Sequence, residues 1–193
     1  MEMDLPAPRT YSGEMEVKPI QNTSSRYGYT KEVPDYIDRY PERKNKYIKR
    51  IRAGHYGNLT LIDRQVEGIL KALEEKGQLE DTIIIYSADH GSLLGDHGIF
   101  HKGLIYDRSD RVPFIVHCPA RYQPRNTEAL AGHVDFMPTI LSLAGAAIPP
   151  AVEGKNLTPL FSGQKESIQD KVMIEISHNI GIITDHWKML VYQ

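Results

Sequence analysis

The chain is 193 residues long, 40% hydrophobic and 25% charged, enough for one sizeable core of ordinary globular composition. Its 23 basic and 25 acidic side chains leave a net charge of −2, so no global field favours nucleic acid or an anionic membrane, and any anion site has to be local. The single cysteine, Cys118, excludes an intrachain disulfide and any zinc site of paired cysteines.

From Met1 to about Asn45 the sequence is polar, rich in tyrosine and broken by Pro6, Pro8, Pro19, Pro34 and Pro41, which predicts an irregular connecting segment over residues 1–46. The opening "MEMDLPAPRT" lacks the basic and apolar blocks of a signal peptide, and no stretch is apolar for long enough to span a bilayer. The cellular compartment stays open.

Next, Ile48, Ile51, His55, Leu59, Ile62, Val66, Ile69 and Leu73 recur at three- and four-residue steps, the stripe of a helix, and Gly77 supplies its stop. Gly54, Gly57 and Gly68 each cost roughly 1 kcal/mol relative to alanine inside a helix, which predicts close packing against a neighbour there. "TIIIYSA", Thr82 to Ala88, is apolar and β-branched on both faces, as a doubly covered strand of a parallel sheet is; "VPFIVHC", Val112 to Cys118, repeats the pattern. "VDFMPTILSLAG" predicts a further helix with Asp135 as its cap, Pro138 in the first turn and Gly145 at the close. "KVMIEIS", "IGIIT" and "WKMLVY" read as short antiparallel strands, with a turn over Thr184 to His186. The expected architecture is α/β, a helix-flanked sheet over 47–150 followed by a small antiparallel sheet over 151–193.

Between the two apolar strands lies "DHGSLLGDHGIFHKG". In open α/β sheets ligands gather outside the carboxyl ends of strands, where Asp89 and His90 stand. Asp89 offers carboxylate oxygens and His90 a ring nitrogen, a pair suited to a divalent cation; Lys102 can meet an anion beside it. Each residue also has a plainer reading. Asp-His-Gly after a strand can be a turn whose aspartate accepts backbone hydrogen bonds, and Lys102 a solvated charge. His97 and His101 have helical metal-pair spacing, but Gly95, Gly98 and Gly103 argue against a helix, so both are read as loop residues. "DRSDR", Asp107 to Arg111, reads as mutual surface ion pairs. Cys118 reads as a small buried hydrophobe; His117, alternating with it, reads as exposed.

The same stretch resembles the sulfatase family of the alkaline-phosphatase superfamily, whose pattern runs strand, D-[NH]-G, G-[DE]-H-G, lysine, R-V-P and another strand. "HYGNLTLIDRQVEGILKALEEKGQLEDT" and "GHVDFMPTILSLAGAAIPPAVEGKNLTPLFSG" extend the resemblance in family order over roughly Arg52 to Gly163. It implies a metal-dependent hydrolase of sulfuric esters, with a small-molecule or glycan sulfate ester as substrate. Asp89 and His90 would ligate a divalent cation, calcium by the family's habit, and Lys102 would contact the sulfate as a catalytic and substrate-binding residue. A phosphoesterase or phosphonate hydrolase could exploit the same geometry.

The family's nucleophile is a formylglycine matured from a Cys or Ser in C/S-x-P-S-R. That motif does not occur here, nor does an H-x-P segment of the kind family members place before the long irregular stretch; "NTSSRYG" lacks the proline and the leading position. The chain therefore reads as the C-terminal part of a sulfatase, expected to work with a missing N-terminal half of the same protein and to be inactive alone. The alternative is a free-standing, non-catalytic anion-binding module.

Overall fold

The computed structural model describes residues 44–98, 100, 102–176 and 179–191. Most of the irregular segment expected over 1–46, together with His101, lies outside the described residues. The chain divides into two units: residues 1–76 with 90–112, and residues 77–89 with 113–193.

In the first unit, helix α1 spans Lys44–Glu75 and ends before Gly77, whose φ of +65° is the left-handed conformation that closes helices. The cover along its stripe is uneven. Ile48 is buried, whereas Leu59, Ile62 and Ile69 are exposed. The close packing expected at Gly54, Gly57 and Gly68 is not found: among the described residues, no atom lies within 4 Å of where a Cβ would stand. A glycine's cost in a helix records lost backbone freedom and does not reveal what lies beside it. Among the described residues that follow His90, a 3₁₀ turn spans Asp96–Gly98, and the four-residue helix α2 spans Asp107–Asp110.

The second unit begins with strand β1, Ile84–Ser87, paired with β2, Phe114–His117. The pair is antiparallel, with Ile84 opposite His117 and Ser87 opposite Phe114, not two members of a parallel sheet. Tyr86 and Ile115 face each other on an exposed side. Apolar composition on both faces says that a strand can be covered, but not which strand pairs with it or in which direction. His117 differs from its expected exposure: it is half-buried with Nε2 enclosed, while Cys118 is buried as a free thiol.

Helix α3, Phe136–Leu143, follows a 3₁₀ turn over His133–Asp135. Its C-terminus closes on Gly145, φ +70°, with the Gly145 amide donating to the Ser142 carbonyl at 3.1 Å and the Ala146 amide to Leu141 at 2.8 Å. That is the paired bonding of a Schellman stop. Asp135 does not cap α3 with its side chain. Its buried carboxylate instead accepts from the amides of Gly132 (2.8 Å) and Lys155 (2.7 Å) and from the Gln169 side chain (2.8 Å), fastening three segments. Thr139 donates to the Asp135 carbonyl and accepts from Leu157, leading into helix α4, Thr158–Phe161. Leu143, Leu157 and Leu160 are the buried aliphatic residues around these helices.

Strands β3 (Val172–Ile176), β4 (Asn179–Ile183) and β5 (Lys188–Val191) form the antiparallel meander expected from the sequence. The turn before β5 is closed by Thr184, whose amide donates to the Trp187 carbonyl at 2.8 Å. Among the described residues, no helix is long and apolar enough to cross a membrane.

Candidate active site

Strand β1 delivers the chain to Asp89, two residues beyond its end, and both Asp89 and His90 are exposed. Two contacts in the second unit steady the strand's end. The Ser87 hydroxyl donates to the Pro113 carbonyl at 2.8 Å, and the His133 Nε2 lies 2.9 Å from the Ala88 carbonyl. No sequence motif singles out His133. It precedes Asp135, whose staple fixes that turn, and its ring packs edge-on against Phe136.

In the first unit, the Nδ1 of His90 lies 2.9 Å from the Gly91 carbonyl oxygen. A carbonyl only accepts, so this contact needs a proton on Nδ1. Metal-ligating histidines are commonly oriented by such a contact. The donor chemistry therefore fits a divalent cation at both residues: carboxylate oxygens at Asp89 and an imidazole nitrogen at His90. Among the described residues, no three His, Cys, Asp or Glu side chains gather as a metal cluster.

Lys102 is exposed at the far end of the loop that begins with Gly91. The loop's middle is built around Asp96, which is buried. One carboxylate oxygen accepts from Arg52 of α1 at 2.7 Å, and the other pairs with Arg108 of α2. Arg52, buried itself, also donates through Nε to the Leu94 carbonyl at 2.8 Å. Leu94 and His97, on either side of Asp96, hold φ of +48° and +56°, unusual for residues bearing a Cβ. The His97 ring stacks on Tyr106 with centroids 4.1 Å apart, giving this loop residue a packing role.

"DRSDR" accordingly is more than a set of mutual surface pairs. Arg108 reaches a buried carboxylate, and Ser109 is buried. The sequence carried one clue to the network: Arg52 stands one helical turn after Ile48, a charge on the apolar stripe that needs a buried partner.

Residues 24–146, more than half of the chain, match the family model for sulfatases. The chain belongs to the sulfatase family. It is 36% identical over 146 residues to an arylsulfatase of Clostridium perfringens, an alignment covering 74% of this chain and 30% of that protein. A phosphonate monoester hydrolase from Silicibacter pomeroyi superposes with a TM-score of 0.75 at 26% identity, covering 97% of this chain and 44% of that one. A third relative, solved in complex with its substrate D-glucosamine-2-N,6-O-disulfate, gives a TM-score of 0.64 at 28% identity over 68% of this chain and 29% of its own. The α/β architecture with a small C-terminal antiparallel sheet is that of these alkaline-phosphatase-like enzymes. The chain spans about a third of the curated relative's length.

Proposed function

We propose that this chain is the C-terminal part of a metal-dependent sulfuric ester hydrolase of arylsulfatase type, acting on a small-molecule or glycan sulfate ester. The observation that carries the reading is that Asp89 and His90 stand immediately beyond the end of β1, within the residues that match the sulfatase family model. A sulfated sugar fits the substrate named for one structural relative.

Each residue then has one task. Asp89 and His90 hold the cation, which when bound would polarise an ester oxygen and offset charge in the transition state. The Lys102 ammonium adds a second positive contact to the anionic group. The nucleophile, a formylglycine by family resemblance, is assigned to a preceding half of the same protein, so the isolated chain is expected to hydrolyse nothing.

Calcium is the first candidate by family resemblance; manganese and zinc belong in the same test because carboxylate oxygens suit manganese and imidazole suits zinc. Titrating each ion into the isolated chain should move the backbone amide resonances of Asp89 to Ser92. Shifts confined to residues around Asp107 would refute the ligand assignment. An aryl sulfate, an aryl phosphate and a phosphonate monoester should be assayed with the chain alone and with the polypeptide extended upstream. Sulfate turnover only in the extended protein supports the proposal. Preferred phosphonate turnover favours the second reading, which rests on the likeness to the Silicibacter pomeroyi enzyme. Turnover by the isolated chain would overturn the division of the active site, and no turnover by either would favour the anion-binding module.

A further inference from the structure

The short helix α2 touches the loop carrying Lys102 at its beginning, middle and end. At the beginning, the Gly91 amide donates to the Ser109 carbonyl at 2.8 Å. The approach is so close that a Cβ on Gly91 would stand 2.0 Å from the Arg108 carbonyl oxygen, so only glycine fits. In the middle, Arg108 pairs with Asp96, which Arg52 holds from the other side. At the end, the Gly103 amide, directly after Lys102, donates to the Ser109 hydroxyl at 3.2 Å. Ser109 is buried, and its own amide donates to the Tyr106 carbonyl at 2.7 Å, which holds its backbone in place.

Two of the three fastenings thus pass through one residue. An exposed lysine on a glycine-rich loop would otherwise sample many positions, and an electrostatic contact is effective in a transition state only where its charge is held in advance. We propose that Ser109 is a positioning residue for Lys102: its hydroxyl anchors the Gly103 amide, while the Arg52–Asp96–Arg108 network holds the middle of the same loop. The inference rests on the role given above to Lys102, and deepens it. Ser109 touches no substrate and acts only through the backbone beside the lysine.

Ser109→Ala is a mild test, because it removes the hydroxyl and leaves the backbone bond to Gly91 in place. In the isolated chain, the Gly103 amide should exchange with solvent about tenfold faster in Ser109→Ala, and Ser109→Thr should restore protection by retaining the hydroxyl. In the upstream-extended protein, Ser109→Ala should lower kcat/KM for an aryl sulfate roughly 10- to 100-fold, again with recovery in Ser109→Thr. The deciding measurement is the double variant. If Ser109 acts through Lys102, adding Ser109→Ala to Lys102→Ala should cost nothing further. Multiplying losses would mean a general structural role and overturn the proposal, as would unchanged Gly103 exchange or unchanged turnover in Ser109→Ala. Absence of turnover in the unaltered extended protein would refute the assigned reaction and, with it, a catalytic use for these fastenings. The Gly103 exchange rates would still decide whether Ser109 holds the loop.

Discussion

Lys102 is exposed, so its removal should leave folding unchanged while weakening only what it contacts. In the upstream-extended protein, Lys102→Ala should reduce kcat/KM for a sulfate ester by roughly 10²- to 10³-fold, the scale of losing one preorganised electrostatic contact. Kinetics equal to the parent, with an unchanged melting temperature, would return the residue to a solvated surface charge. Arg52 is the opposite case. It is buried, and its removal takes from the buried Asp96 carboxylate its 2.7 Å ion-pair partner. Arg52→Ala should therefore destabilise the fold by about 3–5 kcal/mol, the usual cost of breaking a buried ion pair. Urea denaturation of the isolated chain checks it, and a loss under about 1 kcal/mol would show that water reaches Asp96 readily.

At the scale of elements, α1 is longer than its buried part requires. Its glycines contribute no close contact among the described residues, which reverses the usual expectation for substitution. Gly57→Ala and Gly68→Ala should each stabilise the isolated chain by up to about 1 kcal/mol, because alanine loses less backbone entropy on folding. Destabilisation in the extended protein alone would locate a partner surface against this helix. Gly91→Ala should behave differently, since a methyl group there collides with the Arg108 carbonyl and must push α2 away from the loop. The same residue type thus has opposite predicted effects in two elements, and only the surroundings distinguish them.

At the scale of the whole molecule, two groups of exposed apolar side chains each share a face or an element. Met173, Ile180, Met189 and Val191 share one side of the C-terminal meander, and Leu59, Ile62 and Ile69 lie along α1. Faces of this kind favour association, so the isolated chain should sediment with a weight-average mass that rises with concentration, and Met173→Lys with Met189→Lys should suppress the rise. A constant monomer mass would contradict this. The sequence by itself determined the family, through three motifs in fixed order, and placed the helices and strands wherever a local period or a glycine stop was present, as at Gly77 and Gly145. It also located Asp89 and His90 at the end of a strand, because strand, turn and motif are contiguous in the chain. Only the tertiary structure decided that β1 and β2 run antiparallel, that Asp135 staples three segments instead of capping a helix, and that Arg52 meets a carboxylate 44 residues away. Periodicity reports which side of an element can be covered; pairing direction and long-range ion pairs depend on which distant residue arrives there, and no local pattern encodes that.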